Sequence, residues 1–261
     1  MTKCKHHIFI VLLLAFFPLS ASAQVENLND IGKYFSKKEK TSILRALEYQ
    51  KAFYNKIFPD VNADYSKIQI SVITDVKELG DVLLQKKIVG YYSPSEHKLV
   101  ICKNEKFKNT YLKTAFHELS HALLHLYSDF WFRNTSPLIN EGLAEYLEGM
   151  NYDSKKIVHK KNNYMIARVK TLIELRDLDL SEVINWDYEK FKKESFTQEG
   201  YGYAVGYCIT FFLMTQNDET SAFSIFRSLI VENMSAEDVF NKYYKGGFSQ
   251  FEKDFISYFS K

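Results

Sequence analysis

Residues Asn109 to Asp129 read NTYLKTAFHELSHALLHLYSD, and the rest of the chain is arranged around them. Leu112, Ala115, Phe116, Leu119, Leu123 and Leu126 recur at helical spacing, which predicts a helix over about Thr110–Tyr127 with one buried stripe. Inside it stands His117-Glu118-Leu119-Ser120-His121. On a helix His121 lies about 40° round from His117, and Glu118 about 100°. The three side chains therefore share one edge. Two neutral imidazoles one turn apart can hold a zinc ion, and a carboxylate beside them is placed to act as a base. Taken alone, the pattern also fits a helix whose histidines are surface groups or satisfied core groups.

A second segment changes that balance. Ser136 to Gly149 reads SPLINEGLAEYLEG, with Ser136 as cap, Pro137 in the first turn and Gly149 as a stop. A catalytic zinc takes three protein ligands and keeps a fourth position open. Glu141 is the candidate third ligand, on a helix that a short connection, Asp129–Thr135, could fold back against the first. Glu145 follows on the same face and could accept the ring N–H of His117, fixing its tautomer. The competing reading makes Glu141, Glu145 and Glu148 a solvated charged face.

His117-Glu118-Leu119-Ser120-His121 followed by Asn140-Glu141-Gly142-Leu143-Ala144-Glu145 resembles the gluzincin metallopeptidases. These include the thermolysin and aminopeptidase N families and the bacterial peptidase-MA-like proteins. The resemblance implies one zinc ion on His117, His121 and Glu141, Glu118 as general base, and Glu145 as support for a histidine. Gly90-Tyr91-Tyr92 and the tail from Ser235 to Phe259 resemble the peptidase-MA-like group as well, so the likeness runs from about Lys67 to the C-terminus. Two features depart from relatives of this kind. The chain has no Gly-x-Met-Glu-Asn stretch, which argues against capture of a free amino terminus, and no third histidine at the metzincin spacing.

Attack on an amide builds negative charge on the carbonyl oxygen, so a donor aimed there is needed. Gly202-Tyr203-Ala204-Val205-Gly206-Tyr207 offers two tyrosines. Tyr203 resembles the catalytic tyrosine of the aminopeptidase N family, which also precedes a glycine by three; Tyr207 is the alternative. His125, one turn past His121, could line the cleft, bond a neighbouring group or simply sit at the surface. His97 and His159 read as ordinary residues.

Upstream, Gln24–Lys40 reads as a polar lead-in and Thr41–Phe58 as a helix stopped by Pro59. Lys67–Thr74 alternates as a strand, and Asp75 could cap a short helix through Lys86. Val89–Cys102 reads as a hairpin turning at Ser93-Pro94-Ser95-Glu96. Its return strand leads into the histidine helix, and Lys98, Leu99, Val100 and Ile101 are expected to form an edge that holds an extended peptide. Downstream, helices are expected over about Lys160–Leu175, Ser181–Lys193, Tyr201–Met214, Ala222–Val231, Ala236–Tyr243 and Gln250–Phe259, with Gly246-Gly247 as a turn. The expected fold class is α+β, in a single domain over 24–261. A small mixed sheet with the histidine helix forms a first lobe (about 41–150). An all-helical second lobe (about 151–261) follows, with the zinc cleft between them.

Residues 1–23 read as a cleavable leader: Lys3 and Lys5, an apolar run from Ile8 to Leu19, then Ala21-Ser22-Ala23. The expectation is export to the periplasm or medium, without stable membrane insertion. Cleavage would take two lysines from 34 basic residues, leaving 32 against 32 acidic ones. That balance gives no reason to expect a nucleic-acid partner. The remaining cysteines, Cys102 and Cys208, could pair or stay free. With 18 tyrosines and 21 phenylalanines the chain can build a large aromatic core. These features imply a secreted zinc peptidase, with an endopeptidase favoured, acting on a peptide or protein substrate. Two alternatives stay open: a peptidase-like binding module that no longer turns over, and zinc hydrolysis of another bond or of cell-wall peptides.

Overall fold

A computed structural model describes residues 25–27, 33–79, 89–107, 110–128, 136–197, 200–232 and 234–261. The leader over 1–23, residues 80–86 of the helix expected from Asp75 through Lys86, and the Asp129–Thr135 connection lie outside the described residues; the described start of that helix is a single tight turn over Val76–Leu79, with Asp75 accepting the Lys77 N–H. The strands are β1 (Val25–Asn27), β2 (Gln69–Ile73), β3 (Gly90–Ser93) and β4 (Lys98–Cys102). The first three helices are α1 (Lys37–Ile57), α2 (Tyr111–Tyr127) and α3 (Pro137–Glu148). The regular elements described after α3 are all helices: α4 (Asn163–Leu175), α5 (Leu180–Ile184), α6 (Tyr188–Thr197), α7 (Tyr201–Gln216), α8 (Glu219–Val231), α9 (Ala236–Tyr243) and α10 (Gly247–Phe259). The α+β class is borne out: the chain is mostly helical, with one small mixed sheet.

The sheet order is β1-β2-β4-β3. β2 and β4 run parallel, whereas β1 pairs with β2 and β3 with β4 antiparallel. The expected hairpin forms, turning through Pro94–Glu96 with His97 in the left-handed region at φ 50°. The edge role expected for Lys98–Ile101 is overturned. β4 is paired on both sides, Lys98 to Ile101 with Gln69 to Val72 and with Gly90 to Ser93, and all of it is buried. Its ladder groups are spent inside the sheet, and β3 is the outer strand on that side among the described residues.

α1 begins earlier than its apolar pattern suggests. Ser36 and Glu39 form a reciprocal capping box, so the helix starts at Lys37 inside the stretch read as lead-in. Val25–Asn27, also assigned to the lead-in, adds a strand beside β2. α1 then braces the back of α2. Buried Gln50 donates its side-chain amide to the Phe116 carbonyl at 3.0 Å, and the Tyr54 hydroxyl meets Ser120 Oγ at 2.7 Å. α2 packs against β3 and β4 on another side and against α3. α3 in turn packs against α7, the most apolar helix, which is buried from Tyr201 to Leu213. No helix among the described residues is long and apolar enough to cross a membrane. Cys102 and Cys208 are both buried free thiols.

Candidate metal centre

α2 and α3 bring three side chains to one point. Glu141 Oε2 lies 3.3 Å from His117 Nε2 and 3.6 Å from His121 Nε2. The three donor atoms all fall within 4.8 Å of one another, and all three residues are buried. A tetrahedral metal with bonds of about 2.0–2.2 Å sets its ligand atoms about 3.3–3.6 Å apart. The separations of 3.3 and 3.6 Å match such an edge and exceed the roughly 2.7–2.9 Å of a charge-assisted hydrogen bond. Moreover, Glu141 Oε2 is buried without a hydrogen-bond partner. Two imidazole nitrogens and one carboxylate oxygen suit a divalent transition metal. The residues present therefore fit a metal ion, as the sequence suggested.

The groups behind the ligands aim them. His121 Nδ1 lies 2.9 Å from Asn140 Oδ1. If the Nδ1–H donates there, the Nε2 lone pair is left facing Glu141. Sequence reasoning missed Asn140. The available signal was a lone amide in a helix that is otherwise apolar or ligating, since a buried Asn needs a partner. On the far side of His117, Glu145 Oε1 is 4.0 Å from Nδ1, but Glu148 Oε2 is closer at 3.5 Å. Glu145 is thus beside His117 as expected, but it is not the nearest carboxylate.

Glu118 is 1% exposed. One of its carboxylate oxygens accepts the backbone N–H of Tyr92 in β3, and Oε2 has no partner. Burial lifts its carboxyl, the two histidines pull it back and Glu141 pushes it up again, leaving it at about 7. For Glu141, burial also pushes upward, but His121 and His117 outweigh it and hold the carboxyl at about 2. Burial disfavours a charged His117, yet Glu141 and Glu148 raise its pKa well above the ordinary histidine value.

Tyr203 reaches this neighbourhood from α7. It is buried against Phe191, ring centroids 5.1 Å apart. Burial raises its hydroxyl pKa well above 10, and the charge of Glu141 adds to that. It remains a neutral donor at working pH. Tyr207 has another task. Its hydroxyl oxygen accepts the Asn162 N–H at 2.8 Å at the start of α4, and its ring stacks on Phe211. His125 is neither a ligand nor a bare surface group. Its Nδ1 lies 2.7 Å from the Tyr92 hydroxyl, and its ring stacks on His97 with centroids 4.9 Å apart. His159 packs flat on Tyr146, centroids 4.4 Å apart. Lys98–Ile101, inside the sheet, contributes nothing to a substrate edge.

Compared with known proteins, the chain matches no family model and no curated protein.

Proposed function

We propose that this chain is a secreted zinc-dependent hydrolase of peptide bonds, exported by the leader over residues 1–23. The observation that carries the reading is the meeting of His117 Nε2, His121 Nε2 and Glu141 Oε2, with the unbonded oxygen of Glu118 on the same helix edge. Zinc is the metal that best suits two imidazoles, one carboxylate and tetrahedral spacing. When bound, it would supply Lewis acidity to a water and to the scissile carbonyl.

The protein's own groups do the rest. Glu118 takes a proton from the attacking water and returns it to the leaving nitrogen, and its burial, which disfavours the charged carboxylate, makes it a stronger base than an exposed glutamate. Tyr203 donates its O–H to the oxygen that becomes negative. Asn140 keeps the His121 ring oriented while charge moves.

A peptide substrate is favoured by β3. Val89 O accepts the Cys102 N–H, so by antiparallel alternation Gly90 and Tyr92 turn their backbone groups away from β4. Tyr92 gives its outward N–H to Glu118. An extended chain laid along that outer strand would pass directly beside the base. The test is Glu118→Gln with casein or a peptide library, with and without chelator. Cleavage should fall at least about 100-fold while zinc content holds. Full activity with retained metal would reject Glu118 as the base, and no cleavage by the native chain would leave a binding module.

A further inference from the structure

The motif assigns the ring N–H of His117 to Glu145, but the structure surrounds that nitrogen with two carboxylates. Glu148 Oε2 stands at 3.5 Å and Glu145 Oε1 at 4.0 Å. One N–H makes one strong bond, so the two carboxylates cannot share the role equally. Distance favours Glu148. Partnership favours it too: Glu148 Oε2 is buried with no hydrogen-bond partner, and a buried carboxylate oxygen needs a donor. Its other oxygen, Oε1, lies 3.8 Å from Lys113 Nζ, on α2 one turn before His117. The Glu148 carboxylate therefore lies between Lys113 and His117, where the last turn of α3 meets α2. Finally, Glu148 is the last residue of α3, where the helix dipole disfavours negative charge. A carboxylate kept at an unfavourable helix end, 11% exposed and aimed at a ligand's ring, calls for a role there.

We propose that Glu148, rather than Glu145, is the residue that positions His117 for metal binding. Its carboxylate accepts the Nδ1–H, fixes the tautomer that leaves Nε2 facing Glu141, and makes that nitrogen a better donor. Lys113 holds the carboxylate in place. The assignment rests on the reading of His117, His121 and Glu141 as a metal site.

The experiment is zinc affinity of the full chain, by competition with a chromophoric chelator, with circular dichroism as the check on folding. Glu148→Ala should bind zinc about 10–100-fold more weakly at unchanged helicity. Glu148→Gln, whose amide oxygen still accepts, should recover most of that loss, and Glu145→Ala should change affinity far less. Should Glu148→Ala not fold, the ring N–H signal of His117 in ¹⁵N-histidine spectra decides. It should move in Glu148→Gln and stay in Glu145→Gln. A loss in Glu145→Ala equal to or larger than that in Glu148→Ala overturns the assignment. A native chain that takes up no zinc overturns the metal reading first, and the assignment with it.

Discussion

Gly142 and Gly206 meet backbone to backbone where α3 crosses α7. A methyl group on Gly142 would collide with the Gly206 carbonyl, and one on Gly206 with the Leu138 carbonyl. This contact lets the helix that carries Tyr203 lie close against the helix that carries Glu141. Gly206→Ala should therefore force the helices apart and cost about 1–3 kcal/mol in urea denaturation. Cleavage should weaken too, because Tyr203 retreats with its helix. Native stability and activity in this variant would show that the close crossing is not needed.

The two tyrosines of α7 should separate by phenotype. Tyr203→Phe should lower kcat about 100-fold with KM nearly unchanged, as expected when a donor to the developing oxyanion is removed. Tyr207→Phe should leave kcat close to native and cost about 1 kcal/mol of stability, because the Asn162 N–H loses its acceptor. Steady-state kinetics with one fluorogenic peptide, alongside melting curves, compares them. Equal losses of kcat would remove Tyr203 from the mechanism.

The brace behind the histidine helix should show in stability. Gln50 is fully buried, and its amide bonds both the Phe116 carbonyl and the Tyr152 hydroxyl. Gln50→Ala should destabilise the fold by about 2–4 kcal/mol, from the lost bonds and the space left behind. Chemical denaturation measures it, and a change below about 0.5 kcal/mol would mean that α1 is not a brace.

Acid should unfold the chain partly through Glu39. Burial pushes this carboxyl up, but bonds from Lys103, Tyr111 and Ser36 overcome that and hold it at about 2, against 4.5 unperturbed. The Lys103 ammonium is 2.8 Å away. A depressed carboxyl stabilises the fold fully above its unfolded value, and this contribution drains away as pH falls toward the folded value. The native melting temperature should thus drop between pH 4.5 and about 2, more steeply than that of Glu39→Gln. Parallel curves for the two proteins across that window would contradict this.

Part of this architecture was legible from the chain alone, for a physical reason. His117, His121 and Glu118 share a helix edge whatever surrounds the helix, and Glu141 sits in a helix whose bounds, Pro137–Glu148, follow its Ser-Pro start and its glycine, although the Ser136 hydroxyl donates to the Ile184 carbonyl instead of capping the helix. The hairpin was legible because Ser93-Pro94-Ser95-Glu96 is local turn chemistry. Strand order is not local. β4 is interior because it pairs in parallel with β2, a strand distant in sequence, and nothing within Lys98–Ile101 records that pairing. That Glu148 lies nearer than Glu145 to His117 Nδ1 depends on how α3 rotates against α2, which spacing along one helix does not reveal. The bonds of the Asn140 amide to His121 and of the Tyr92 N–H to Glu118 escaped because each joins partners far apart along the chain.

Every catalytic role proposed for this chain depends on His117, His121 and Glu141 sharing one metal ion. Anomalous diffraction at the zinc edge, on crystals of the full chain grown with zinc, tests it most directly. A peak is expected about 2.0–2.2 Å from His117 Nε2, His121 Nε2 and Glu141 Oε2. A map with no peak among those three atoms, or with zinc seated on other side chains instead, would contradict it.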